Sequence, residues 1–343
     1  MSFNSQNFMA GYLAGVELRR HRAIPVEPSP PSGNFLTFSS HSPFTIATYN
    51  ATKNWNGTLE WSTDAEAWNV WNGETVLTAS QKRGFYILLL RGTENSYITR
   101  VSEAARWIIN GTGVSCKGYI DSLLDCSALS GNTRPEIGQY AFRYMFRGCL
   151  ALVEGPSFPD SDLPTNCYQY MFDGCSNLQF APDLPSTEIG YNCYYGMFRD
   201  CTSLRIAPNL PATTLKPGCY SYMFSGCTAL VYAPTISAAS VSPANASSSC
   251  RYMFEGCTSL ETIPKLLLLS VPQYCYGNMF YGCSKIKLSA TQTDEYNAPY
   301  RIPTSGTGTA NSTALTQMFA NTGGTFTGTP NINTIYYTAN EVV

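Results

Sequence analysis

Between residues 144 and 283 one six-residue phrase returns six times: YMFRGC (144–149), YMFDGC (170–175), GMFRDC (196–201), YMFSGC (222–227), YMFEGC (252–257) and NMFYGC (278–283). The Met-Phe pairs begin at 145, 171, 197, 223, 253 and 279, so the steps are 26, 26, 26, 30 and 26. A period in the twenties marks one supersecondary unit stacked on copies of itself. A unit that small cannot bury its own apolar face, so the core has to run along the stack. The expected fold class is mainly β, with a solenoid of about eight short rungs once a worn copy at each end (122–129 and 318–321) is counted. At the ~4.8 Å spacing of hydrogen-bonded strands that makes a stack ~38 Å long.

Residues that recur at fixed places must touch the copies above and below. Leu152, Leu178, Leu204, Leu230 and Leu260 form one expected apolar column; Phe146, Phe172, Phe198, Phe224, Phe254 and Phe280 form another. Pro156, Pro182, Pro208, Pro234 and Pro264 follow each short strand, since a residue without an N–H cannot sit inside a ladder. Positions that vary between copies do not pack on identical neighbours and are expected to face outward. Phe180, Ile206 and Tyr232 then make an exposed apolar track, flanked by Asp183, Asn209 and Thr235. Such a track is a partner-binding surface. Tyr144, Tyr170, Tyr222 and Tyr252, just before Met, form a second stripe, read either as a recognition surface or as side-to-side stacking.

Ahead of the repeats, residues 34–112 read as a small β-sandwich. Short runs such as FTIATY (44–49), TLEWS (58–62) and FYILLL (85–90) lie between Asn-Gly turn marks at 56–57 and 72–73. Trp55, Trp61, Trp68 and Trp71 crowd this module. Alternation cannot bury all of them on one face. Trp61 and Trp71 are therefore candidates for a platform on which a sugar ring stacks, against core packing as the simpler account. Residues 25–33 are a Pro-rich linker. Residues 1–24 carry Phe8, Tyr12, Leu13 and Val16 at helical spacing, followed by Arg19 and Arg20. They read as a docking helix that anchors the chain to a larger partner.

Charged residues are only 13% of the 343, with a formal net charge of −2. That balance offers no field to attract nucleic acid or an anionic membrane. No signal peptide or membrane-spanning segment is read at the start, which predicts a protein assembled in a cytosol. The 13 cysteines lack the close ligand pairs of a zinc site. They are expected to be a reduced, buried ladder, with no metal and no cofactor. The two histidines, His21 and His41, stand apart, and no catalytic motif is present, so no catalytic residue is assigned.

The repeat framework resembles the bacterial surface leucine-rich repeat family (BspA-like). That family's repeat carries an alanine- or methionine-phenylalanine pair, a cysteine three positions after the Phe and a leucine three later. MFSGCTAL (223–230) and MFEGCTSL (253–260) match it position for position, and the likeness covers residues 116–343. Ala141, Arg199-Asp200 and Lys285-Ile286 depart from it. The resemblance implies a leucine-rich-repeat solenoid over 113–343, used for adhesion or protein recognition. NWNGTLEWSTDAEAWNVWNGE (54–74) with LLLRGTEN (88–95) resembles a β-module placed before repeat arrays in surface and phage proteins of gut anaerobes. The whole combination resembles structural proteins of tailed, crAss-like phages. What this implies is a non-enzymatic virion protein: a head fibre, decoration or tail-associated adhesin. Its N-terminus would meet a capsid or tail protein, and its repeats a host surface glycan or protein. The alternative is a bacterial cell-surface adhesin of the same repeat family. Oligomeric state stays open, as no heptads point to a trimer.

Overall fold

The computed structural model describes residues 33–343 apart from 83, 101, 132 and 243–246. The expected docking helix at 1–24, with Phe8, Tyr12, Leu13, Val16, Arg19 and Arg20, lies outside the described residues, as does nearly all of the 25–33 linker. The fold is mainly β. Short strands and turns make up most of it, and the α-helix among the described residues is the single turn Cys126–Ser130.

Among the described residues nine strands come first: β1 (Leu36–Ser40), β2 (Thr45–Thr48), β3 (Thr58–Ser62), β4 (Asn69–Val70), β5 (Leu77–Thr78), β6 (Ser80–Lys82), β7 (Phe85–Thr93), β8 (Trp107–Asn110) and β9 (Val114–Lys117). Strands β9, β1, β7, β3 and β4 lie side by side in one sheet, with β6 also on β7, while β5, β2 and β8 form a second sheet. The apolar run of β7 is continuous because both of its faces are covered. Leu88 and Leu90 point into the main core, and Phe85, Ile87 and Leu89 pack under Phe35 and Trp68. Across the β3–β7 pair, Glu60 stands opposite Arg91 and accepts its Nε–H at 2.7 Å.

The sheet does not stop at the end of this module. A tenth strand, β10 (Leu152–Glu154), pairs in parallel with β9, and Glu154 bridges in turn to Phe180. The same edge continues through the Ile206–Tyr232 bridge to Thr262–Ile263, which pairs with Glu341–Val342 near the chain end. One hydrophobic core runs from Leu36 to Tyr336, straight through the boundary expected at 112/113.

The recurring phrase itself is neither helix nor strand. It is a chain of tight turns in which every fourth residue is left-handed. In the first copy these are Tyr140 (φ 61°), Tyr144 (φ 61°) and Gly148 (φ 72°). In the next they are Asn166, Tyr170 and Gly174, and in the third Asn192, Gly196 and Asp200. This geometry splits the backbone donors into two sets. Met145, Arg147 and Cys149 donate three residues back within the turn, to Phe142, Tyr144 and Phe146. Phe142, Tyr144, Phe146 and Gly148 donate outward to Cys167, Gln169, Met171 and Asp173 of the next coil at 2.8–3.0 Å. Nearly the same alternation recurs from coil to coil, so buried backbone polar groups are paired without a regular strand.

The side chains follow the backbone into columns. Phe146, Phe172, Phe198, Phe224, Phe254, Phe280 and Phe319 stack with ring centroids 5.3–5.7 Å apart and planes within 18° of parallel. That spacing falls within the range of favourable aromatic pairs. A second interior column runs Phe142, Tyr168, Tyr194, Tyr220 at 5.7–6.0 Å. The Leu column from 152 to 260 is fully buried, as expected.

Both ends of the stack are closed. At the first coil, the outward carbonyls of Ala141, Met145 and Ala151 accept N–H groups from Ile98, Trp107 and Val114, and Arg143 accepts the Thr99 hydroxyl at 2.6 Å. At the last, Phe319 N–H donates to Gly328 and Gln317 N–H to the Thr329 hydroxyl. The expected worn first copy at 122–129 does not join the stack. It forms a 3-10 turn (Ile120–Leu123) and the short helix, with Asp125 capping Ser127 N–H, while the worn last copy does join, Phe319 adding a seventh ring to the six expected in the Phe column. The long segment 291–313, between the sixth copy and the last, is partly built into the closing end. Ala298–Arg301 pairs with Ile335–Thr338, and Thr309–Ala310 pairs with Ser270–Val271.

Candidate functional site

The varying positions lie on the parallel edge that follows β10. Each coil contributes one or two extended residues there before its proline turns the chain. Phe180, Ile206 and Tyr232 are 51%, 48% and 43% exposed, on three consecutive coils. Asp183, Asn209 and Thr235 are exposed beside them. Thr235 N–H approaches the Asn209 side-chain oxygen at 3.4 Å, which ties the polar flank of one coil to the next. The track has definite ends. On one side stands Glu154, 3.9 Å from the Lys117 ammonium. On the other, Thr262 occupies the equivalent place but is buried, its hydroxyl accepting the Ala233 N–H at 2.7 Å. The structure thus brings six of the eight expected binding residues onto one strip.

Trp61 and Trp71 do not belong to it, and the expected tryptophan platform is overturned for Trp71. Trp71 is 1% exposed and its ring N–H donates to the Thr75 carbonyl at 2.9 Å. It links Trp55 (5.1 Å) to Trp107 (5.4 Å), which meets Phe146 of the first coil. Trp61 is half-buried and packed on the same core. The burial that alternation seemed to forbid is achieved because Trp71 follows β4 on an irregular segment, outside the strand's two-residue period. Trp68 instead covers the outer face of β7, with the Arg91 guanidinium 4.0 Å above its ring.

The tyrosine stripe is a ladder of ring contacts, stacked at its two ends and bridged in the middle by Tyr195, which meets Tyr170 edge-on and Tyr222 at a tilt. Tyr144 and Tyr170 lie 5.4 Å apart, Tyr170 and Tyr195 5.3 Å, Tyr195 and Tyr222 5.5 Å, and Tyr222 and Tyr252 4.7 Å. Guanidinium groups of Arg147, Arg199 and Arg251 lie against these rings. Beside the ladder, buried Asp173 accepts from Arg147 and Arg199, each Nε at 2.8 Å, and Arg147 also pairs with Glu103 of the first module. This relay across coils was not read from the sequence. Its signal is the Arg at 147 and 199, one coil either side of the Asp at 173.

The cysteines show why a thiol recurs. Cys175 Sγ–H donates to the Phe146 carbonyl at 2.9 Å, and Cys201, Cys227, Cys257 and Cys283 donate to Phe172, Phe198, Phe224 and Phe254 in the same way. A thiol is small enough for the interior and still supplies a weak donor. All thirteen are free, and all but Cys126 are buried. Burial pushes the thiols of Cys175, Cys201 and Cys257 well up, and those of Cys149 and Cys283 to about 12. Cys167 and Cys193 come within 3.1 Å of each other without a bond between them.

Among the described residues no group of His, Cys, Asp and Glu could hold a metal ion. His41 rests against Phe85 at 4.2 Å. Asp64 is a loop cap: N–H groups of Glu66 and Ala67 and the Ser62 hydroxyl hold its carboxyl down at about 2. Among the described residues no helix is long and apolar enough to cross a membrane.

No family model matches the chain, no curated protein matches it, and no solved structure matches its fold.

Proposed function

We propose that this is a non-enzymatic binding protein. In this reading residues 113–343 form a leucine-rich-repeat-type solenoid, and its strand edge engages a partner on a host surface, a glycan or a protein. The observation that carries the reading is the exposed apolar run of Phe180, Ile206 and Tyr232 on three adjacent coils whose interiors repeat residue for residue. Large apolar side chains kept exposed on a rigid frame mark an interaction surface. Holding them on stacked coils removes most of the ordering cost of binding. The β-rich module at 34–112, read as a sandwich, would close the first coil, and residues 1–24 would dock into a larger assembly.

The setting proposed is a phage virion, as a head fibre, decoration or tail-associated adhesin. The second reading is a bacterial cell-surface adhesin with the same edge in use. Mass spectrometry of purified particles separates them. The virion reading expects the chain at a fixed stoichiometry, and a chain lacking residues 1–24 should fold yet fail to enter particles. Normal incorporation of that shortened chain would refute the docking role.

A further inference from the structure

Where the first module meets the first coil, Ser96, Tyr97, Arg100, Gly138, Gln139 and Tyr140 line a recess of about 270 Å³. It lies away from the strand edge and does not depend on the reading given to that edge. Two stretches far apart in sequence, 96–100 and 138–140, build it. They are clamped together: Gly138 N–H donates to the Ser96 carbonyl at 3.2 Å, and a side chain at 138 would put its Cβ 2.4 Å from that oxygen. Asn56 fixes Ser96 from behind, donating to its hydroxyl at 3.2 Å and accepting its N–H at 3.0 Å. The Ser96 hydroxyl therefore keeps its own hydrogen to donate.

The chemistry of the lining is specific. Tyr97 and Tyr140 are half-buried rings, and the exposed Arg100 guanidinium lies 5.0 Å from the Tyr97 ring centroid. Among the described residues no carboxylate pairs with Arg100. Its backbone is left-handed, at φ 59°, outside the four-residue pattern that explains Tyr140. The Gln139 side chain is exposed and adds an amide with both a donor and an acceptor.

We propose that this recess binds one acidic sugar residue, a six-membered ring carrying a carboxylate. The Arg100 fork takes the carboxylate in a charge-assisted pair. The tyrosine rings cover the ring's apolar C–H face, and Gln139 and Ser96 meet its hydroxyls. The volume, at the small end for ligand sites (roughly 300 Å³ upward), suits a single ring rather than a nucleotide or an oligosaccharide.

The test is ligand-observed NMR titration of the full chain with glucuronic acid, N-acetylneuraminic acid and, as the neutral control, glucose. Binding by either acid and not by glucose is expected, and the acid that binds names the source as uronic or sialic. Arg100→Gln should weaken that binding about tenfold or more, and Gln139→Leu should weaken it severalfold. Phe180→Ala should leave it unchanged. Should Arg100→Gln fail to fold, Gln139→Leu decides alone. Acid binding no stronger than that of glucose, or undiminished in the folded variants, overturns the proposal.

Discussion

Tyr222 stands in a left-handed backbone conformation, φ 56°, with its ring between Tyr195 and Tyr252. An L-residue with a Cβ costs roughly 1–2 kcal/mol there. A stacked aromatic pair returns about 0.5–1.5 kcal/mol. The ladder of rings thus offsets the strain of the turns that carry it. The expected consequence inverts the usual ranking of small residues. Tyr222→Ala loses the stacking and keeps the strain, whereas Tyr222→Gly loses both. The glycine variant should therefore be the more stable by about 1 kcal/mol, measured by chemical denaturation; an alanine variant of equal or greater stability would contradict this account. The signal for this backbone was present in the sequence. Gly196 and Asn278, residue types that tolerate positive φ, occupy the Tyr222 slot in other copies, and Asn166, Asn192 and Gly218 occupy the slot four residues earlier. The reading of that slot as a recognition stripe or a stack considered only the side chain. Asp200, which departs from the repeat where other copies have Gly, simply adopts the same left-handed place at φ 58°.

At the level of the single coil, recurrence made the interior legible and left the exterior only half so. Met, Phe, Cys and Leu had to line up because identical neighbours surround them. The thiol's bond to a carbonyl of the preceding coil could not be read, since spacing alone does not distinguish a small apolar filler from a donor. Burial of these thiols carries a pH prediction. In the fold the buried thiols hold their protons up to about 12 at Cys149 and Cys283, against an ordinary value of 9.0. Below pH 9 the thiols are protonated in both folded and unfolded chains and contribute no pH dependence. Above it the unfolded chain releases protons that the fold retains, so stability falls as pH rises. Each such thiol contributes up to about 1.4 kcal/mol per pH unit. Thermal melts should therefore be flat near neutrality and drop steeply between pH 9 and 12. A thiol reagent at pH 7 should modify chiefly the half-buried Cys126 in the folded protein and all thirteen after unfolding. Rapid modification of Cys175 or Cys201 in the native state would contradict their place in the core.

Across the whole molecule, the β-rich module serves the stack as a lid. Its N–H groups at Ile98, Trp107 and Val114 satisfy carbonyls of the first coil, and Trp107 covers Phe146. An uncovered edge of this kind is a template for aggregation. A fragment of residues 113–343 should therefore be insoluble or aggregate, and the full chain should melt in one cooperative transition. A soluble, folded fragment, or two separate transitions, would show the module to be an independent bead. The sequence pointed to the module's strands but not to this role. The capping bonds come from irregular backbone, which no residue pattern announces, and Trp71 went into the core for the same reason. The outer track, by contrast, was legible, because variation among otherwise repeating copies exposes the positions released from packing.

The account rests on a division between an invariant inner spine and a variable outer edge. Paired variants test it most directly, with stability and binding to the proposed host-surface partner measured on each. Phe180→Ala with Tyr232→Ala should abolish binding and cost less than about 1 kcal/mol of stability, as exposed positions do. Phe172→Ala with Phe224→Ala should cost about 3–5 kcal/mol for each ring removed. A large loss of stability in the outer pair, or undiminished binding by it, would contradict the division.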